Sequence, residues 1–351
     1  MTSRERILIA LNRRKPDRVP LEIKMTPGAF EMFKEKTGST DFRSYFNMDF
    51  REVEFNEPRA INDFFGYFPD FPSGATITEW GIAQVSGSMP NYHKKISPLS
   101  KITSIKEIEE YPFPDFKANY RHQHLEKEVE GYHESGLAAV AFMEMTIFER
   151  AWRIRGMENF MIDMVLNQGI AGVLLDKITE ISLFMVRRFA ESDVDIIKLG
   201  DDIGTQEAMI MHPDMWRKWL KPRLAKVIRV AKKIKPKVLI YYHTDGFIEP
   251  VISDLIEIGV DILNPVQPEC MDPVKLKKKY GDRLSFWGTI GTQTTMPFGT
   301  PDGVRKTTKY MIEAVGRDGG LLIAPTHVLE PDVPWENILA FVDAVHGYGY
   351  Y

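Results

Sequence analysis

The chain has 351 residues, 44% of them hydrophobic and 27% charged, with a formal net charge of −4; that length suits two average domains or one large α/β barrel with a full core. No basic excess is available to neutralise phosphates, which argues against a nucleic-acid partner. A single cysteine rules out an intrachain disulfide, the charged N-terminus is unlike a signal peptide, and no apolar run approaches the roughly 20 residues of a membrane span, so a cytoplasmic protein without a membrane partner is expected.

In chain order, residues 3–12 carry apolar Ile7, Leu8, Ala10 and Leu11 among charges and predict a helix capped at Ser3. Residues 18–25 alternate as a first strand, 28–37 follow as a helix, and 50–55 form a second strand. Residues 59–135 are irregular and read as an insertion or lid. Within it, 76–86 alternate about Gly81 as a hairpin, and 121–135 form a polar helix with His122, His124 and His133 on a solvated face. From residue 137 strands and helices alternate: strand 137–143, helices 146–167 and 170–191, strand 194–200, helix 213–234, strand 238–243, helix 248–258, strand 260–265, helix 272–280, strand 284–288, helix 301–315, strand 319–324 and helix 334–346. Short buried strands separated by helices imply parallel pairing through right-handed crossovers. Eight strands make a (β/α)8 TIM barrel, with a doubly wound open sheet as the other arrangement the pattern allows. The chain, 1–351, is expected to be one barrel domain with its insertion at 59–135. Neither a dinucleotide-binding nor a P-loop motif is present.

In a barrel the chemistry belongs at the C-terminal strand ends. The run VLIYYHTDG at 238–246 ends a buried strand on His243 and Asp245, an expensive place for polar groups unless they hold something. The later strands lead to Cys270 and His327. Two imidazoles and a thiolate are a common ligand set for catalytic zinc with one position open, so His243, Cys270 and His327 are expected to bind Zn2+. Asp245 is either a fourth ligand or an acceptor that orients His243 from behind. Their linear spacing matches no short zinc motif, so the expectation depends on the barrel. Asp201 and Asp202 either cap a helix or face the substrate, and Gln206 can add a hydrogen bond there. Asn56 and Glu144 also lie at strand ends. Phe142 and Trp287 suit an aromatic pocket or core packing equally. Trp152, Trp216, Trp219 and Trp335 fall in helices and are read as packing.

The stretches SRERILIALNRRKPDRVP, VDIIKLGDDIGTQ, IYYHTDG, LIEIGVDILNPVQPECMD, YGDRLSFWGTIGTQ and APTHVLEPDVPWENI resemble the uroporphyrinogen decarboxylase superfamily over nearly the whole chain. The resemblance implies a (β/α)8 barrel and one of two chemistries. Decarboxylases of this type need no cofactor and bind propionates through an arginine-rich loop after the first strand. Here that loop reads IKMTPGAFEMF, without arginine. The other branch contains cobalamin-dependent methyltransferases with His-x-Cys after the fifth strand and Cys after the eighth; His243 matches the histidine, while Asp245 and His327 stand where the cysteines would be. The resemblance therefore implies a zinc-dependent O-demethylase component. It would move a methyl group from a small donor, with an aryl methyl ether expected, to Co(I) of a corrinoid (cobalamin) protein. His243, Cys270 and His327 would hold zinc, Asp202 and Gln206 would orient the donor, and Glu144 or Tyr242 would supply a proton. The alternatives are a cofactor-free decarboxylase of another acid and a non-catalytic binding protein. A homodimer is open to a barrel of this kind.

Overall fold

The computed structural model describes residues 1–68, 70–87 and 93–351. Among the described residues ten strands are formed: β1 (Phe50–Val53), β2 (Thr76–Ile77), β3 (Ala83–Ser86), β4 (His93–Ile96), β5 (Ala138–Phe142), β6 (Ile196–Gly200), β7 (Leu239–His243), β8 (Ile262–Asn264), β9 (Ser285–Ile290) and β10 (Leu321–Pro325). Seven make one parallel sheet in the order β1-β5-β6-β7-β8-β9-β10. The expected first strand, 18–25, is not a continuous strand. It runs beside β10 through parallel bridges at Leu21–Ile323 and Met25–Leu329, with the Glu22 amide donating to Ile323 and the Ile323 amide to Pro20. With this eighth segment at its margin, the curled parallel sheet is a TIM-barrel-like α/β fold. A separate three-stranded antiparallel sheet, β2-β3-β4, contains the expected hairpin and one further strand.

Helix boundaries differ from expectation where local chemistry intervenes. The first helix, Ser3–Leu11, is capped by Thr2 rather than Ser3, in a reciprocal capping box with Glu5. The stretch 146–167 is two helices, Phe148–Arg155 and Met157–Val165, broken at Gly156 with φ of 90°. Pro222 sits in the first turn of Lys221–Ile234, which splits the expected helix 213–234 after Trp219. The histidines of 121–135 are not on a solvated face. His122 is buried and accepts from Arg188 Nε at 3.0 Å, His124 Nε2 meets the Glu54 carbonyl at 2.9 Å, and His133 Nε2 meets Asp195 at 3.0 Å. They tie the insertion to the barrel.

Inside the barrel, alternate strand residues point to the axis. Lys198 of β6, Tyr241 of β7 and Trp287 of β9 are all essentially inaccessible to solvent. Lys198 Nζ lies 4.6 Å from the Trp287 ring and 5.2 Å from those of Tyr241 and Phe50. It is ion-paired to Glu52 at 2.8 Å and Glu22 at 3.2 Å, while Glu22 accepts the Trp287 indole N–H at 2.6 Å. A buried charge persists only with such partners. This plug forms a floor beneath the strand ends. Among the described residues no helix is long and apolar enough to cross a membrane.

Candidate metal centre and adjoining cavities

Strand register places the central histidine. Gly200, His243 and Asn264 are consecutive partners across β6, β7 and β8. A Cβ on Gly200 would fall 2.7 Å from the His243 Cβ, so glycine is what admits the imidazole at this row. Asn264 donates its amide N–H to the Trp287 carbonyl at 2.8 Å, which turns its oxygen towards His243. That oxygen lies 2.6 Å from His243 Nδ1. Nδ1 therefore carries the hydrogen, and Nε2 is the nitrogen left to take a proton or a metal ion.

Asp202 meets that nitrogen, and Asp245 lies close to both residues. Asp202 Oδ1 is 3.5 Å from His243 Nε2 and accepts the Asp245 amide at 2.9 Å. The loops after β6 and β7 touch backbone to backbone: a Cβ on Gly246, whose φ is 82°, would lie 2.4 Å from the Thr205 carbonyl oxygen. One ligand atom from each of Asp202, His243 and Asp245 falls within 4.8 Å of the others. Asp245 Oδ1 is buried without a hydrogen-bond partner. Burial pulls the His243 pKa down, but the charges of Glu144, Asp245 and Asp202 outweigh it and raise it to about 9. Burial pushes the Asp245 carboxyl up, against the pull of His243. The cluster thus favours a cation, either a proton on Nε2 or a metal ion in its place. An orphaned oxygen and an imidazole oriented from behind fit a bound metal.

Two cavities open here. One of about 120 Å3 is lined by His243, His327, Glu144, Lys24, Tyr241 and Asn264, among others. The second, of about 140 Å3, lies under the insertion and shares Glu144 with the first. Trp80, Phe116 and Phe142 contribute to its walls. Lys24 Nζ sits 5.1 Å from the Phe142 ring and 3.4 Å from Glu52. Burial lowers the lysine pKa, but Glu22 and Glu52 outweigh it and raise it.

The expected site residues fall into distinct groups. The structure brings His243 and Asp245 together with Asp202, of which only donor binding was expected. Cys270 and His327 lie outside the three-residue cluster. His327 is exposed at the rim of the smaller cavity. The half-buried Cys270 thiol donates to Gln206 Oε1 at 3.1 Å, and burial together with Glu269 pushes its pKa up. Gln206 is therefore engaged with Cys270. Glu144 and Phe142 line the cavities. Asp201 does not face them: its buried carboxylate accepts the amides of Ile147 and Glu149 and caps the helix Phe148–Arg155. Burial and Glu149 push it up to about 8, against those amides. Tyr242 is fully buried, and its pKa, raised chiefly by burial, is well above the usual range; strand alternation puts it on the opposite face from His243, so Tyr241 is the tyrosine at the cavity. Trp287 packs the barrel interior, and Asn56 clamps the insertion by donating to the Tyr120 carbonyl at 2.8 Å. The role of Asn264 was missed; its position at a strand end was the available signal. Lys198 was missed because it reads as one charge in a strand.

A family model described as "Uroporphyrinogen decarboxylase (URO-D)" matches residues 2–348. Uroporphyrinogen decarboxylases of Hydrogenobaculum sp. (strain Y04AAS1) and Psychromonas ingrahamii are each 24% identical to the chain, over 184 residues (52% of this chain, 50% of the relative) and 172 residues (46% and 47%) respectively. The chain spans about half the length of these curated relatives. A methyltransferase from Methanosarcina mazei superposes with a TM-score of 0.70 at 20% identity, covering 99% of both chains, which establishes a shared fold. With a family match running from the second residue almost to the last, the chain belongs to the uroporphyrinogen decarboxylase (URO-D) family.

Proposed function

We propose that the protein is a zinc-dependent methyltransferase that moves a methyl group from a small methylated donor, an aryl methyl ether, to Co(I) of a corrinoid protein. The observation that carries this reading is the convergence of Asp202, His243 and Asp245, with Asp245 Oδ1 buried and unpartnered, at a cavity that shares Glu144 with a second one of aromatic walls. The fold shared with the Methanosarcina methyltransferase agrees with it.

Asp202, His243 and Asp245 would hold the ion, a donor set of one nitrogen and two oxygens that leaves a position open. His327, on the rim of the same cavity, is the candidate for a further ligand. When bound, zinc would supply Lewis acidity to the leaving oxygen. The chain's own groups do the rest. Asn264 fixes the imidazole so that Nε2 is left for the ion. Phe142 walls the ring of the donor. Glu144, shared by both cavities, is the side chain placed to relay a proton to the departing oxygen. A corrinoid protein would dock over the barrel mouth.

A cofactor-free decarboxylase is the other reading the family permits. It requires cations free to meet a carboxylate in the cavity. Lys24 is there, but Glu52 and Glu22 already match its charge. The deciding experiment is methyl transfer from aryl methyl ethers to a corrinoid protein, measured before and after chelation and after zinc is returned. Activity lost and restored supports the proposal. Turnover that survives removal of zinc sinks the metal part, and carbon dioxide release without metal would put the decarboxylase in its place.

A further inference from the structure

A third cavity lies on the outer side of the insertion and has no part in the proposed chemistry. Its volume is about 330 Å3, and Tyr111, Phe113, Phe116 and Phe184 give it aromatic walls. The helix Gln168–Glu191 closes one side with Lys177, Glu180, Ile181 and Phe184, spaced to share one face. Phe116 and Ile181 also line the cavity of about 140 Å3 under the insertion, where the donor ring is placed. At these residues the partition between the outer and the inner cavity is a single side chain thick.

Phe116 is the member of that partition whose backbone is free to shift. Residues 111–118 lie in no helix or strand. The segment is tied near its ends: Asn62 donates to the Pro112 carbonyl at 3.0 Å, and His122 Nε2 meets the Lys117 carbonyl at 3.4 Å. Pro112 and Pro114 have no N–H to give. Among the described residues, Pro114, Asp115 and Phe116 make no backbone–backbone hydrogen bond. The Phe116 ring is held by side chains instead, with the Arg121 guanidinium 4.3 Å from its centre, the Phe55 ring at 5.7 Å and the Trp80 ring at 5.9 Å. Swinging it aside breaks no ladder, and an aromatic ring passing through meets aromatic surface on both sides. The flanking posts are fixed. The Tyr111 hydroxyl donates to the Trp80 carbonyl at 2.7 Å, and Arg121 is ion-paired to Glu79 at 2.9 Å.

We propose that the outer cavity is a side entrance for an uncharged aromatic donor, with Phe116 as its gate. This rests on the aryl methyl ether reading of the site. A corrinoid protein seated over the barrel mouth would close the direct way in. A side entrance lets the donor arrive and the demethylated product leave while the acceptor stays docked.

The test is exchange of 4-fluoroanisole with the zinc-loaded protein, followed by fluorine NMR with no acceptor protein present. Lys177→Trp and Glu180→Trp add bulk to the outer cavity at residues that do not line the inner one. An entrance changes the path and not the bound state. Each variant should therefore slow association and dissociation alike, by about tenfold or more, with Kd within about twofold of wild type. Glu180 is exposed, so its variant decides the matter if Lys177→Trp fails to fold. Unchanged rates in either variant at wild-type melting temperature overturn the proposal. So does a weaker Kd at an unchanged association rate, which would make the outer cavity part of the binding site, and so does a wild-type protein that does not bind the probe. Methyl transfer is not the readout, so a failed transfer assay leaves the entrance standing, and a failed entrance leaves the transfer assay to decide the reaction.

Discussion

Asn264 Oδ1 lies 2.6 Å from His243 Nδ1, across two neighbouring parallel strands whose register pairs these same residues. The amide is itself fixed by its bond to the Trp287 carbonyl. This fixes the tautomer of His243 and leaves Nε2 for a metal. Loss of such a supporting partner typically costs about 10–100-fold in metal affinity. Asn264→Ala is expected to weaken zinc by that factor, measured by competition with a chromophoric chelator, while Asn264→Asp keeps an acceptor and loses less. Unchanged affinity in Asn264→Ala would mean that the imidazole is held by packing alone.

The ligand set is tested by metal content. His243→Ala, Asp202→Asn and Asp245→Asn are each expected to fall from about one zinc per chain to near none, because each removes one donor of a three-atom cluster. Cys270→Ser is expected to keep its zinc, since the thiol is engaged with Gln206 and lies outside that cluster. A serine variant that loses zinc would restore Cys270 as a ligand and require the loop after β8 to close when metal binds.

The sequence carried the barrel because strand and helix periods alternate plainly from residue 137 onwards, and His243 and Asp245 stand at the end of one buried strand. It did not carry the partners. Asp202 and Asp201 are adjacent and look interchangeable, yet the chain path after β6 turns one to His243 and the other into a helix cap. Tyr241 and Tyr242 present the same ambiguity, which is decided by which residue shares the strand face of His243. The reach to Cys270 rested on strand order alone, and loop conformation, which periodicity does not encode, sets where its sulfur points. Lys198 stayed hidden because its partners Glu22 and Glu52 are far away in sequence.

Asp201 offers a separation of stability from chemistry. Its carboxylate takes two amides at the start of Phe148–Arg155, as a capping residue does from within its own chain segment. Asp201→Ala should lower stability by about 1–2 kcal/mol, within the range for lost caps, with zinc content unchanged. Loss of zinc at unaltered melting temperature would show that the residue acts on the site rather than on the helix.

The ion cluster under the site makes the last prediction, and its pH sense follows from Glu52. Burial alone would raise this carboxyl, but Lys198 at 2.8 Å and Lys24 at 3.4 Å outweigh burial and hold it at about 2, against an ordinary value of 4.5. The folded protein therefore binds this proton more weakly than the unfolded chain. The contribution to stability is complete above about pH 4.5 and is lost as pH falls towards 2. Glu52→Gln leaves the buried Lys198 and the part-exposed Lys24 short of one partner, which by analogy with other broken buried pairs costs up to about 3–5 kcal/mol near neutrality. Urea midpoints of the two proteins should differ most at pH 6–7 and converge between pH 4.5 and 3 (approximate limits set by that same linkage). A gap that stays constant over this range would mean that the variant loses packing rather than charge, and that Lys198 finds enough compensation in Glu22 alone.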